Sequence, residues 1–375
     1  MKTRGGFPPV GICGLFFIWF FIAMLANAPV SASDGSNPFV SDSDKKVKFN
    51  DERQVDLESE SDFFSMFCWG QTGFGPLSLP SQSPFQSLRM GLIPTTPSTL
   101  SRNQWDLRVH ANLANVWANE PKRYIIDYES LDAHLSLAYG LTGSMELELG
   151  YQDRSVLGGV LDGFISDFHE AFGIEQDGRD QAPNGEVRIL IKDKNGNTLL
   201  SYEDRSGNYS RGVSMTFKHR LTCGGKFFPA VSYALSTRWE IEDAGIVDRD
   251  IPVDFGASLS VAKRFSSVYA YLSGGYFWYG GKRIQKVDLK ETQLSGVGAL
   301  EWRYQEDQAL ILQCMVSEGQ AKNLGPFSDP SYELTLGWKY AMGLSTLLEI
   351  GLIENIIIWD NSPDFGVHVG VTHRF

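Results

Sequence analysis

Three polar side chains have the chemistry and the spacing of a nucleophilic triad. His134 and Ser136 lie two residues apart, and Glu146 or Glu148 follows after a short turn. In such a triad the imidazole takes the serine proton, while the carboxylate orients the imidazole. Polar residues two apart also occur on any strand that has a polar face. We therefore interpret the three residues as part of a hydrogen-bonded network and keep hydrolysis as the alternative.

The segments around these residues alternate between apolar and polar side chains. The last segment shows this best, because Phe365, Val367, Val369, Val371, His373 and Phe375 share one face. Alternation of period two is typical of a β-strand with one apolar face. The same pattern predicts twelve strands, at 104–113, 123–140, 145–152, 208–221, 226–241, 251–265, 267–279, 292–304, 308–317, 331–341, 343–353 and 364–375. In the second of these the apolar phase slips once, which predicts a β-bulge near Glu129 and Ser130.

The links between these strands alternate in length. Short links fall at 141–144, 222–225, 266, 305–307 and 342, whereas long links fall at 114–122, 153–207, 242–250, 280–291, 318–330 and 354–363. Outer-membrane barrels place tight turns in the periplasm and long loops outside the cell. We predict an all-β fold, an antiparallel transmembrane barrel of about twelve strands over residues 104–375, with 186–203 as an external hairpin. A soluble β-sandwich is the alternative, and it would make the link pattern accidental.

Aromatic residues gather at both predicted ends of the strands, as membrane interfaces select. One group comprises Trp105, Tyr139, Phe265, Tyr304, Tyr340 and Phe375. The other comprises Trp117, Tyr124, Tyr151, Tyr209, Trp239, Trp278 and Tyr332. The two groups predict the two girdles of a membrane barrel.

The N-terminal residues divide into three further segments. Residues 1–32 have a basic start, an apolar core too short for a spanning helix and a small-residue site at Ala32, which predicts a cleaved signal peptide. Residues 33–64 are polar and acidic, which indicates a disordered leader. Residues 65–103 are apolar but contain five prolines. Proline prevents continuous strand pairing, so this segment is predicted to be ordered but irregular, either beneath the barrel or inside its lumen.

Charged residues of mixed sign fall on the predicted inner face of the strands. Those singled out as lumen-lining are Arg108, His110, Lys218, Arg220, Arg238, Arg264, Glu301, Arg303, Glu333, Lys339, Glu349 and Arg374. Charges enclosed together must pair or stay hydrated, and twelve strands enclose more space than side chains easily fill. The set could therefore line a narrow solute path or close the lumen as a structural network.

The longest loop contains an amphipathic pattern over 160–172. Phe164, Phe168 and Phe172 recur at helical spacing, and acidic residues occupy the other side. The pattern predicts a loop helix packed across the barrel mouth, whose phenylalanines could form a gate. The acidic residues that follow lack the spacing of a complete Ca²⁺ site, so no metal and no cofactor are predicted.

Three cysteines remain after the predicted cleavage. Cys68 and Cys223 both fall on the predicted periplasmic side, where thiols tend to pair. A bridge between them would pin the irregular segment under the barrel, and two unpaired thiols are the alternative. Cys314 shares the apolar face of its strand, so we expect it to face lipid and stay reduced.

Two resemblances bear on function. The His134–Ser136 pair is similar to that of outer-membrane phospholipases and lipid A deacylases, but the apolar Leu137 follows it, and the pair faces the predicted lumen. Over about residues 70–375 the chain resembles a family of exported proteobacterial proteins known only as a domain of unknown function. The segments that carry this resemblance are 74–77, 83–94, 127–129, 139–141, 159–164, 168–173 and 178–180. That resemblance implies no reaction, ligand or site residue.

These observations predict a location more clearly than a chemistry. Removing Lys2 and Arg4 with the signal takes the net charge from −12 to −14, which argues against a nucleic-acid partner. We predict a protein of the Gram-negative outer membrane that contacts membrane lipid. We expect the barrel assembly machinery to recognise its terminal strand, which ends in Phe375. The predicted function is a narrow passive channel or a ligand-binding barrel, and a lipid-acting hydrolase is the alternative.

Overall fold

The computed structural model describes residues 70–159, 163, 185, 187–203, 206–242, 247–249, 252–354 and 361–375. The predicted signal peptide, the acidic leader and Cys68 lie outside the described residues. So does the predicted loop helix apart from Gly163, and with it the gate of Phe164, Phe168 and Phe172. Within the described part of the chain, no helix has the length and apolar character to span a bilayer.

Strands make up almost all of the regular structure. Within the described residues they are β1 (Trp105–Glu120), β2 (Tyr124–Thr142), β3 (Met145–Leu157), β4 (Arg188–Lys192), β5 (Thr198–Glu203), β6 (Gly207–Cys223), β7 (Ala230–Glu242), β8 (Val247–Arg249), β9 (Val253–Phe265), β10 (Val268–Trp278), β11 (Gly281–Ile284), β12 (Val287–Asp288), β13 (Thr292–Arg303), β14 (Gln308–Ser317), β15 (Ser331–Met342), β16 (Thr346–Glu354) and β17 (Phe365–Arg374). Two short 3-10 helices, Gln86–Leu88 and Gly325–Ser328, accompany them.

Twelve of the strands close into an antiparallel barrel. Around the wall the order is β1, β17, β16, β15, β14, β13, β10, β9, β7, β6, β3 and β2, and β2 pairs with β1 to complete the ring. The predicted all-β barrel of about twelve strands is confirmed. Closure satisfies the backbone hydrogen bonds of every wall strand on both sides. Below, "turn end" means the end with the short links and Phe375, and "loop end" means the opposite one.

Alternation separates the two faces of the wall. In β1 and β2, Val109 and Leu135 point outward and are about half exposed, whereas Asp106 and His110 point inward and are buried. The β1–β2 register runs without interruption from the Trp105–Tyr139 pair to the Glu120–Tyr124 pair. The predicted bulge near Glu129 and Ser130 is therefore wrong at this pair of strands.

The apolar phase slip has a different cause. Above Ser130 the inner face of β2 itself becomes apolar, so Tyr124, Ile126 and Tyr128 point into the barrel and are buried. They belong to an apolar cluster at the loop end, defined here as the "cap cluster". Its other main members are Phe85, Leu88, Val116, Val156, Ile189, Ile191, Leu200, Tyr209, Ile284, Leu289 and Phe327. The assignment of Tyr124 and Tyr209 to an interfacial girdle is wrong for this reason.

A hairpin extends the wall beyond the loop end. Strands β4 and β5 form the hairpin predicted over 186–203, and β4 pairs with the top of β2. Its tip is organised by Asp193, which accepts hydrogen bonds from the Asn197 side chain at 2.8 Å and from two backbone amides. The Asn197 side chain, followed by the backbone amides, holds the pKa of Asp193 below its ordinary value. Ile189 and Ile191 turn inward and join the cap cluster.

Candidate functional site

The lumen of the barrel is occupied by the chain's own N-terminal segment. We call residues 70–101 the plug. It starts at the turn end, where the Arg264 guanidinium donates to the Gly70 carbonyl oxygen at 3.1 Å. Phe85 and Leu88 reach the cap cluster at the loop end. The segment then descends, and the Thr99 hydroxyl donates to the Gly143 carbonyl oxygen at 3.1 Å, in a short turn of the wall. Residues 70–101 therefore lie inside the barrel and not beneath it.

The composition of the plug explains why it stays irregular. It contains five prolines, which cannot donate backbone hydrogen bonds, and Arg89 is its single charged residue. The wall strands already pair with one another on both sides, so they offer no free ladder to the plug. The remaining backbone amides of the plug must therefore find side-chain acceptors on the inner face of the wall.

Buried wall carboxylates supply these acceptors. Five of them, on five different strands, each accept from at least one backbone amide of the plug. They are Glu301 (from Phe74 and Gly75, 3.1 and 2.9 Å), Glu349 (from Ser78, 3.3 Å), Glu333 (from Gln82, 2.9 Å), Asp254 (from Met90, 3.1 Å) and Glu146 (from Leu100, 3.0 Å). All five are almost fully buried acids on the inner face of the wall. These carboxylates bind the plug through charge-assisted hydrogen bonds from its backbone amides.

Two inward cations bind the plug near the turn end. The Lys339 ammonium donates to the Pro76 carbonyl oxygen at 2.8 Å and pairs with Glu349 at 2.6 Å. The Arg303 guanidinium stacks on the Phe74 ring, 3.9 Å from its centroid, a cation–π arrangement. The wall thus binds the ascending part of the plug through both signs of charge.

The remaining predicted lumen residues pair with the wall itself. Arg108 contacts Glu146 at 3.1 Å and also Glu148, and Lys218 contacts Glu146 at 3.3 Å. His110 lies 3.0 Å from Glu349, and Arg374 pairs with Asp106 at 2.8 Å. Arg238 pairs with Glu240 and with the Ser210 hydroxyl. Arg220 donates to the Gly143 carbonyl oxygen. The charges therefore form a network that also surrounds residual space, and a solute path through that space stays a prediction.

Leu77 shows how closely the plug approaches the wall. Gly337 and Gly351 are neighbours across β15 and β16, and a Cβ atom at either would lie within 3.0 Å of a Leu77 methyl carbon. The Leu77 backbone amide donates to the Gln313 side chain at 3.0 Å. Glycine is required at these two wall positions because the plug fills the space that a side chain would occupy.

Arg89 fixes the top of the plug. Its side chain is fully buried, and Nη1 donates to the Lys290 carbonyl oxygen and to the Gln320 side-chain oxygen, both at 2.7 Å. Nη2 donates to the Gly281 carbonyl oxygen, and the guanidinium stacks 3.9 Å from the centre of the Tyr279 ring. Sequence reasoning missed this residue. The signal was its isolation, as one arginine in a long segment without other charge.

Residual space remains along one side of the plug. A cavity of about 130 Å³ lies toward the turn end, beside Leu344 and Arg374. A second cavity of about 100 Å³ continues toward Arg154, Arg238 and Phe277. Both are lined by the same residues where they meet, namely Ile93, Thr95, Arg108, His134, Glu146, Glu148 and Lys218. Together they trace a space beside the plug that is lined by apolar side chains and by charged groups of both signs, and that ends below the cap cluster.

A family model matches residues 69–375, which comprise the plug and the barrel together. The chain belongs to the family described as "Protein of unknown function (DUF3187)". The resemblance inferred from sequence over about residues 70–375 is thereby confirmed. None of the curated proteins matches the chain.

Several solved outer-membrane barrels are similar in fold. An outer membrane channel from Pseudomonas putida F1, described as COG4313, is 11% identical, with a TM-score of 0.47 over 76% of this chain and 100% of the other. The KdgM porin is 6% identical (TM-score 0.40, 72% and 99% covered), and the NanC porin is 8% identical (0.41, 72% and 98%). A TM-score below 0.5 at such identities carries no functional argument.

The groups considered for nucleophilic chemistry are not joined in this DUF3187 barrel. In the described part of the structure, the buried Ser136 hydroxyl contacts Glu148 and makes no hydrogen bond with the His134 imidazole. Glu146 is committed to Leu100, Arg108 and Lys218 rather than to an imidazole. The described residues therefore give the lipid-acting hydrolase no support.

Cys223 and Cys314 each form a disulfide bond. The prediction that Cys314 stays reduced is therefore wrong. Its side chain is 2% exposed, whereas the Leu312 side chain on the same face is 38% exposed. Alternation assigns a residue to a face but carries no information on its covalent partners. Because Cys68 lies outside the described residues, its pairing with Cys223 stays a prediction.

The carboxylate anchors give a first testable prediction. Replacing Glu301 by alanine should leave the Phe74 amide without an acceptor and should leave the Gly75 amide with the Tyr271 hydroxyl alone, at 3.2 Å, at a cost of about 2 kcal/mol. Hydrogen exchange of a peptide spanning 70–79 should then accelerate by on the order of tenfold or more. The matched control is Glu318→Ala, because Glu318 accepts a backbone amide of the wall, that of Leu294, at 2.9 Å. Unchanged exchange in Glu301→Ala would show that the anchor does not hold the plug.

Proposed function

We propose that this DUF3187 protein is an outer-membrane channel whose lumen is closed by its own N-terminal plug. The outward faces of the wall strands support the membrane location. Leu135, Leu149 and Leu259 are each about half exposed there, within a continuous band of apolar side chains. Exposing such a band to water would be unfavourable, whereas a lipid bilayer accommodates it.

The ends of the wall support an orientation. Exposed aromatic residues lie at both, with Trp105, Trp302 and Tyr304 near the turn end and Trp239 and Trp278 near the loop end. Outer-membrane barrels have short turns in the periplasm and long loops outside the cell. We therefore assign the turn end to the periplasm and the loop end, with the β4–β5 hairpin, to the cell exterior.

The observation that carries the channel proposal is the passage beside the plug. Two neighbouring cavities share the lining residues Arg108, His134, Glu146, Glu148 and Lys218, and they lie one after the other between the turn end and the cap cluster. Its lining carries both signs of charge, which suits a small polar solute and gives weak charge selectivity. The cap cluster blocks the last part of the path, so the structure corresponds to a closed channel, and conduction requires the tip of the plug to move.

The C-terminal strand supports a proposal about assembly. The Phe375 backbone amide donates to the Trp105 carbonyl oxygen at 2.9 Å, and its ring is two-thirds exposed at the turn end. We propose that the assembly machinery of the outer membrane recognises this terminal residue. A variant that lacks Phe375 should accumulate less folded barrel than the full chain.

The proposal is tested by placing the purified full chain in planar bilayers. We expect low and intermittent ion conductance with weak charge selectivity, because the plug occupies most of the lumen. Large steps that stay open would contradict a closed channel. Recovery of the protein as a soluble species without detergent would contradict the membrane location itself.

A further inference from the structure

A cluster of three buried side chains lies where the barrel closes. His110 is on β1, Glu349 on β16 and His368 on β17, and β1 and β17 are the first and last strands of the wall. His110 Nδ1 and His368 Nε2 both lie 3.0 Å from Glu349 Oε1. We propose that these three residues bind one divalent transition-metal ion of the Zn²⁺ class. This inference does not rest on the proposed channel function.

The donor set fits such an ion. One ligand atom from each residue lies within 4.8 Å of the other two, and all three side chains are at least 96% buried. Two imidazoles and a carboxylate are common zinc ligands, at about 2.0–2.2 Å from the metal. Small shifts of the side chains are sufficient to bring the three atoms to those distances around one ion. The fourth position would face the turn-end cavity, which His110 and Glu349 line, so a water molecule and the entering ion have access.

The Asn112 side chain fixes the direction of the His368 ring. Its oxygen lies 2.6 Å from His368 Nδ1, and the other ring nitrogen, Nε2, is directed at Glu349 Oε1, 3.0 Å away. A ligating imidazole usually has a hydrogen-bonded partner on its second ring nitrogen, so Asn112 would orient His368 as a ligand.

His110 gives a second, independent observation. Its Nδ1 atom is buried and has no hydrogen bond of acceptable geometry among the described residues, although it is directed at Glu349. The His110 and His368 rings stack almost in parallel, with centroids 5.9 Å apart. A buried ring nitrogen without a hydrogen bond is costly unless something binds its lone pair.

One neighbour opposes the ion. The Lys339 ammonium lies 2.6 Å from Glu349 Oε2, the carboxylate oxygen that is not shared by the two imidazoles. Its charge reduces the affinity for a cation. The metal would share Oε1 with the Ser78 backbone amide of the plug, which donates to it at 3.3 Å. A hydrogen-bonded second oxygen is usual for a ligating carboxylate.

Metal titration of the detergent-solubilised full chain tests the proposal. After chelator treatment, we expect one equivalent of Zn²⁺ to bind, and Co²⁺ to give the visible absorption bands of a four-coordinate site. His368→Gln and His110→Gln should abolish this binding, and Asn112→Ala should weaken it by about 10- to 100-fold. The matched control is His219→Gln, because the His219 ring contacts Tyr233 elsewhere on the wall.

Each outcome decides the question. No stoichiometric binding by the wild-type chain, or equal binding by His368→Gln, would overturn the proposal. If a histidine variant does not fold, the Co²⁺ spectrum of the wild-type chain still tests it. Nitrogen ligation in that spectrum supports the site, and a spectrum of hydrated Co²⁺ contradicts it.

Discussion

Deletion of residues 74–97 should convert the closed barrel into an open pore. The wall does not depend on this segment, because its twelve strands pair with one another around the complete ring. Without the plug, the lumen of a twelve-stranded wall should fill with water, and we expect conductance to rise by on the order of tenfold over the full chain. The carboxylates that now accept plug amides would become hydrated, and pairs such as Arg108 with Glu146 would remain.

The control for this deletion removes a loop segment of the exterior. Shortening the tip of the β4–β5 hairpin at 193–197 leaves the plug and its anchors in place, so the conductance should stay low. Equal conductance of the plug deletion and the full chain, with both shown to be folded, would mean that residues 70–101 do not limit the pore.

Replacing Arg89 by methionine should release the tip of the plug. Methionine keeps most of the apolar volume but leaves the carbonyl oxygens of Gly281 and Lys290 and the Gln320 side chain without this donor. Losing two or more charge-assisted hydrogen bonds in a buried site costs about 3 kcal/mol. If only the closed state makes these bonds, the open fraction should rise by about a hundredfold, seen as a matching rise in open time in planar bilayers.

Two variants make the result specific to this site. Arg89→Lys keeps the charge but not the planar donor fork, so its effect should be intermediate. Arg283→Met removes an exposed arginine from the same end of the barrel, where it pairs with Asp288 at 2.7 Å, and it should leave open time unchanged. An effect of Arg283→Met as large as that of Arg89→Met would indicate general loosening of the loops.

The wall was predictable from sequence because strand alternation is a local signal. The alternation within each strand indicates which of its residues face lipid. The alternation of short and long links between strands indicates an antiparallel barrel. The plug was not predictable in the same way, since it has no periodicity and its partners lie far along the chain. Glu301, for example, accepts from Gly75 across 226 residues. Alternation placed Glu301 in the lumen correctly but could not name what it would contact there.

The errors have a common physical origin. The predicted bulge near Glu129 and Ser130 would place Tyr124, Ile126 and Tyr128 on the outward apolar face of β2. They face inward because the cap cluster makes the upper lumen apolar. The rule that apolar residues face outward holds only at the depth of the bilayer. Where a strand continues beyond the bilayer, its apolar residues face whichever side offers an apolar cluster, here the inner side.

Thiol labelling in intact cells tests the central claim most directly, namely that the plug lies inside an outer-membrane barrel and is shielded at the loop end. Single cysteines would be placed at Ser87, which is buried at the tip of the plug, and at Lys194, which is exposed on the external hairpin. Cys68, Cys223 and Cys314 would first be replaced by serine, so that the introduced cysteine is the thiol that reacts. With a membrane-impermeant maleimide added outside the cells, we expect rapid labelling of Lys194→Cys and almost none of Ser87→Cys, unless Arg89→Met is also present. Equally rapid labelling of both positions in the otherwise native chain would contradict the account.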